Sequence, residues 1–212
     1  MTADTGAFAA IGLYVVGCAV IFGWRSWRQR LDTGSAGFRG ISGAPGSAGW
    51  WGGVLFVVAL VLVALAPVLA LVGDVTVTVP RWVALVGVAV AVAGFAGVLL
   101  AQVAMGRSWR IGVDAAERTD LVTAGVFALV RNPIFTAMVT AVVGLTLMVP
   151  SLMSALALAA LIAAVQLQVR VVEEPYLLTV HGPTYADYAA RVGRFIPAVG
   201  RLRPHRLKVR AA

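Results

Sequence analysis

The chain has 212 residues, of which 60% are hydrophobic and 12% charged, with a formal net charge of +8 and a single cysteine. A soluble domain is nearer half apolar with about a quarter of its residues charged, so this composition excludes one and indicates an integral membrane protein. The length leaves room for one membrane domain, 1–212, without a large soluble module, and Cys18, alone in the first apolar block, excludes a disulfide framework.

The first apolar run, 5–24, carries no charge, has no basic residue ahead of it and is followed by arginines. That order predicts an anchored helix rather than a secretory leader, with Trp24 and Trp27 at the headgroup level. Arg25, Arg28 and Arg30 then open a stretch rich in Gly and Ser up to residue 49, which lacks the burial needed to offset chain ordering and is expected to be a flexible linker. Spans at 50–72 and 82–105 follow, joined by a turn at Gly73, Asp74 and Pro80. Pro67 is expected to bend the second span. Gly87, Gly94 and Gly97 thin one side of the third, a surface suited to close helix contact.

Residues 132–169 form 38 positions without a charge. A straight helix of that length would reach about 57 Å, nearly twice the lipid core. Pro150 divides the run, which predicts a tight helical hairpin, 133–149 and 151–169. The expected fold is therefore all-α and polytopic, with five transmembrane helices and a short cytosolic C-terminal helical segment. With the amino terminus outside, the segments 25–39, 107–131 and 170–212 share one face and hold 16 of the 17 Lys and Arg. The positive-inside rule then makes that face cytosolic. The basic tail, 201–212, suits anionic lipid headgroups. Nucleic acid is disfavoured as a partner, because these cations flank spans and are not interleaved with stacking aromatics.

Two polar patches on that face draw attention. In the first, LVTAGVFALVRNP at 121–133, Thr123 and Gly125 suit a turn with exposed backbone groups. Asn132 and Pro133 occupy positions typical of a helix cap and first turn. Arg107, Trp109 and Arg110 in GRSWRIGVD precede it. In the second, Arg170, Glu173 and Glu174 leave the fifth span at spacings that put the arginine beside both acids if an α-helix continues. Such a cluster faces a cavity, a partner or water, or snorkels to the interface. Beyond Gly182, Tyr185, Tyr188 and Arg191 recur every third residue, a stripe that serves packing as readily as binding. His181 and His205 lie apart, and no Cys/His cluster suggests a metal.

Taken together, LVTAGVFALVRNPIF and, after the hairpin, EEPYLLTVHGPTYADYAARVGRFIP resemble the isoprenylcysteine carboxyl methyltransferase family and its bacterial and phospholipid-methylating relatives, over roughly 105–197. The resemblance implies a membrane enzyme that binds S-adenosylmethionine at the cytosolic face, in segments 106–132 and 170–200, and methylates a lipophilic acceptor entering from the bilayer. It implies a cofactor site made by Leu121, Val122, Thr123, Gly125, Val126, Phe127, Arg131, Asn132 and Pro133 from the first patch, closed by Glu174, Tyr185 and Tyr188 from the second. Arg170, Glu173 and Arg194 would lie nearer the acceptor and the chemistry. A bacterial inner membrane is the expected location.

One position departs from the family pattern. Asn132 stands where His is usual, and an amide cannot take a proton at neutral pH. A carboxylate acceptor needs no base, being already ionised, so Asn132 is read as a hydrogen-bonding residue, and Arg110, Arg170 and Arg194 as cations for an anionic acceptor. Two other readings stand beside the enzyme: a non-catalytic lipid-binding or scaffold protein on the same fold, and a reductase related to sterol-reducing membrane enzymes.

Overall fold

The computed structural model describes residues 3–37, 40–73, 76–109 and 120–202. Among them the protein is all-helical, with isolated bridges at Thr76 to Ser151 and Val130 to Gly193 instead of strands. Four helical stretches are long and apolar enough to cross a membrane: Asp4–Thr33, Ala48–Leu71, Arg81–Met105 and Leu152–Arg191. A fifth apolar helix, Pro133–Met148, is shorter.

The first helix overruns its expected end. Helix α1 (Ala3–Cys18) passes through a π turn (Ala19–Trp24) into α2 (Arg25–Thr33), so the first third of the expected linker is helical. Buried polar partners explain the extension: Arg25, 5% exposed, donates from Nη2 to the Gly106 carbonyl at 2.6 Å and lies 4.7 Å over the Trp109 ring. The helix stops at Gly34, whose φ of 79° only glycine adopts freely. Helix α3 (Ala48–Leu71) starts on Ser47, whose Oγ accepts from the Trp50 N–H at 3.2 Å, and it continues through Pro67. Helix α4 (Arg81–Met105) follows. Asp74, expected in the α3–α4 turn, lies outside the described residues, as do Arg110 and the basic tail beyond 202.

Helix α5 (Pro133–Met148) ends before Pro150, and α6 (Leu152–Leu167) begins with a reciprocal cap between Ser151 and Ser154. The arms of the expected hairpin pack chiefly on earlier helices, α5 along α4 and α6 along α3. Small residues permit the first of these contacts. A Cβ on Gly87 would lie 2.7 Å from the Gly144 carbonyl oxygen, and Gly94 and Gly144 face the backbones of Ala141 and Ala91. In lipid, where apolar burial gives little drive between helices, such close approach supplies the packing energy. Ala59, Ala91, Ala157 and Leu161 are nearly inaccessible in the same core.

The chain after α6 does not break. A second π turn (Gln168–Glu173) leads into α7 (Glu174–Arg191), which bends at Gly182, φ 51° and ψ −127°. The α3–α4 and α5–α6 connections meet at the end of the bundle away from these turns, where the Val77 N–H donates to the Pro150 carbonyl at 2.8 Å.

Candidate functional site

At the opposite end the two polar patches are laced together through the backbone. The Arg131 N–H donates to the Gly193 carbonyl at 2.8 Å, and the Asn132 N–H to the Arg194 carbonyl at 3.1 Å. Asn132 Nδ2 reaches that same Arg194 carbonyl at 3.0 Å, and Thr136 Oγ1 donates to the Phe195 carbonyl at 2.9 Å. The side chain of Asn132 therefore does not cap α5, although the residue sits at the cap position with Pro133 next. It was the carbonyl-rich turn after α7, out of reach of any local pattern, that took its amide.

Side chains reinforce the junction. Glu174, 6% exposed, accepts from Arg131 Nη2 at 2.6 Å and from Arg194 Nε and Nη2 at 2.7 and 2.8 Å. Arg131 Nη1 is spent on the carbonyls of Ala189 and Val192, at 2.9 and 2.6 Å. With one carboxylate between two guanidiniums and backbone carbonyls accepting from both Arg131 Nη groups, most of the buried charge is compensated. The hydrogen bond from Arg194 to Glu174 holds the guanidinium's pKa above its usual value. Tyr188 donates to the Phe127 carbonyl at 2.6 Å and meets Tyr185 edge to face, centroids 6.2 Å apart. Burial pushes the Tyr188 phenol up to about 12. Burial and then the charge of Glu174 raise Tyr185 as well, so both phenols stay protonated at neutral pH.

These groups wall a cavity of about 570 Å³. Its polar end is lined by Arg131, Asn132, Glu173, Tyr176, Tyr185 and Tyr188, and its apolar arm runs toward the bundle centre past Phe56, Leu60, Met138, Ala164 and Val165. Of the residues singled out from sequence, Leu121, Val122, Phe127 and Pro133 also line it. Glu174 and Arg194 stand behind the wall, holding Arg131. Thr123 and Gly125 are exposed in the turn that leads into a short 3₁₀ segment, Gly125–Ala128, where Gly125 has φ 61°, and Val126 is half-buried there.

Arg170 departs from the expected arrangement: it is exposed while Glu174 is buried. Spacings of three and four pair side chains on an α-helix, whereas the π turn brings residues five apart into register. Accordingly Gln168 Nε2 donates to Glu173 Oε1 at 3.4 Å, and Arg170 turns away from Glu174.

Several cavity residues were missed from sequence. Gln102 lines it from the end of α4, Trp109, given no site role in the sequence, from just beyond the following 3₁₀ turn, and Gly40, Ile41 and Ser42 from the expected linker. A Gln deep in an otherwise apolar span was the legible signal for Gln102, which is 2% exposed and donates to the Ile21 carbonyl at 3.0 Å. The loop gave none, since its seat is a distant pair of glycines.

Fold and site together define the class, an integral membrane protein with a buried, ion-paired chamber at one end of its helices. Residues 82–184 match the phospholipid methyltransferase family. Across 95% of this chain and 99% of the other, the fold is similar to that of the eukaryotic intramembrane Ras methyltransferase, isoprenylcysteine carboxyl methyltransferase, with a TM-score of 0.50 and 14% sequence identity. The chain is also 32% identical over 111 residues to the nickel-cobalt-cadmium resistance protein NccN of Alcaligenes xylosoxydans xylosoxydans, an overlap of 52% of this chain. It spans about half the length of that curated relative, 51%. The matched family segment covers α4 through the bend of α7 and so contains the Arg131–Glu174 pair and most of the cavity wall.

Proposed function

We propose that the protein is a membrane methyltransferase that moves a methyl group from S-adenosylmethionine to a lipophilic acceptor, a prenyl-cysteine-like carboxylate or another small amphiphile. The observation that carries this reading is the cavity itself, whose polar end is built from both patches and whose other arm is apolar and enters the helix bundle. Its volume, about 570 Å³, falls in the range of roughly 300–1,000 Å³ usual for small-molecule sites. Aromatic faces from Tyr185 and Trp109 suit a nucleoside. Arg131 Nε, buried and without a protein partner among the described residues, is a donor left over at the wall.

S-adenosylmethionine supplies an electrophilic methyl on a sulfonium, and transfer breaks the sulfur–carbon bond as the acceptor's lone pair forms the new one. Two opposite charges cancel for an anionic acceptor, so alignment and exclusion of water matter more than proton transfer. Arg131, clamped by Glu174 and three carbonyls, fixes the height of the 121–133 stretch against α7. Tyr185 and Tyr188 dry the polar end. Asn132, held by Arg194, orients without acting as a base. Arg194 serves here as the brace of Glu174.

Five crossings follow in this reading, with the amino terminus outside and the chamber cytosolic. Helix α5 has 16 residues, about 24 Å at the usual rise, and lies along α4, so that only its ends need the interface. Arg25, Arg131, Arg170, Arg191 and Arg194 gather at the chamber end while Arg81 starts α4 at the other, as positive-inside placement requires. Incubation of the purified protein with methyl-labelled S-adenosylmethionine and a host lipid extract tests the function. A labelled lipid product is expected, and its absence with folded, donor-binding protein would favour the lipid-binding alternative.

A further inference from the structure

Residues 40–43, ahead of α3, border the chamber on two glycine pivots. Gly40 and Gly43 have φ of 76° and 91°, conformations in which a side chain is strained. Between them Ile41 and Ser42 line the cavity together with Gly40. Their seat is one face of the first turns of α3, since Gly49 and Gly53 stand four residues apart. A Cβ on Gly53 would lie 2.5 Å from Ile41 Cγ2 and 3.2 Å from its Cβ, and one on Gly49 would lie 3.1 Å from the Ser42 carbonyl oxygen. With Ile41 in place, a larger residue at Gly53 would meet its branches and lift the loop. Phe56, Val57 and Leu60, the next turns of α3, form the apolar arm directly beyond this seat. Ile41 nonetheless remains 45% exposed, so the contact that holds the loop down is shallow.

We propose that residues 40–42 are a strap that gates the apolar arm: Ile41 latches on Gly53, and rotation at Gly40 and Gly43 lifts the segment to admit a long-chain amphiphile. The chamber is then closed by a movable piece of the chain on the side where α3 begins, and the acceptor's chain, rather than the donor, is what the strap controls. Identification of the passing molecule as a methyl acceptor rests on the function proposed above, while the gating itself does not.

The Ile41-to-Gly53 approach is near the Cβ separation of a disulfide, about 3.5–4.5 Å, so the strap can be locked. In a Cys18→Ala background, Ile41→Cys/Gly53→Cys is oxidised, crosslinking is verified by mass, and entry of a dansylated dodecyl amphiphile is followed by stopped-flow fluorescence. Locking is expected to slow entry about tenfold or more, with recovery on reduction, while Ile41→Ala speeds it. S-adenosylmethionine affinity, measured separately, stays unchanged in the locked protein. Failure of the disulfide to form in folded protein, or unchanged entry in fully crosslinked protein, overturns the gate. Gated entry without methyl transfer in either redox state would leave the strap standing and reject the methyltransferase function.

Discussion

Glu174→Ala removes the single carboxylate that two guanidiniums share. Arg131, 6% exposed as a residue, and Arg194, whose side chain is 13% exposed, would then face each other across an empty position. Deleting one member of a buried ion pair costs about 3–5 kcal/mol, because the surviving charge is left uncompensated. Two features pull the figure toward the lower end here: Arg131 keeps the carbonyls of Ala189, Val192 and Gly200, and Arg194 can turn to solvent. About 3 kcal/mol corresponds to more than a hundredfold in an equilibrium constant. The loss should be local, opening the seam between 130–132 and 192–200 while the α3–α6 and α4–α5 contacts persist. Donor affinity measured by isothermal titration in detergent is the assay, with helical content by circular dichroism as control. A hundredfold weaker S-adenosylmethionine affinity with unchanged helicity is expected, and Arg194→Ala added to Glu174→Ala should cost little more, since the partners act as a unit. Wild-type affinity in the folded Glu174→Ala protein would show that the shared carboxylate does not hold the donor site together.

The remaining predictions concern packing and protonation. Gly94→Leu should separate α4 from α5 and cost about 1–3 kcal/mol or more by overpacking, read as a lower unfolding temperature, whereas Gly23→Ala, with open space around it, should be neutral. Tyr188→Phe removes the donor to the Phe127 carbonyl and should cost about 1–3 kcal/mol, since that buried acceptor is left unmade. Because burial raises the Tyr188 pKa to about 12, its contribution is fully present below the unfolded value near 10 and is lost as pH rises from there through about 12. Denaturation followed against pH should show that decline, and Tyr188→Phe should lessen it while leaving the part that the likewise raised Tyr185 contributes. Arg25→Ala breaks the bond to Gly106 and the stacking on Trp109. Hydrogen exchange should then rise at 25–33 and 106–109 ahead of the rest of the bundle.

What the sequence showed and what it hid divide along physical lines. Pro150 and the uncharged run around it announced two helices, because a proline break and a hydrocarbon thickness are local constraints. The convergence of 121–133 with 174–197 was legible only through the family resemblance. The bonds that make it, Arg131 to Glu174 and Asn132 to the Arg194 carbonyl, join residues 43 and 62 apart and leave no periodic trace. Arg170 was misplaced because a π turn cannot be read from spacing that assumes 3.6 residues per turn. By composition the loop at 40–42 reads as a linker, yet its glycines serve tight turns and a close approach to α3.

Whether segments 121–133 and 174–197 enclose one chamber for a sulfonium donor is decided by equilibrium binding of S-adenosylmethionine to the purified protein. Saturable binding at one site per chain is expected, lost in Tyr185→Ala and preserved in Arg170→Ala, whose side chain is not among those lining the cavity. No binding to folded protein, or binding indifferent to Tyr185, would contradict it.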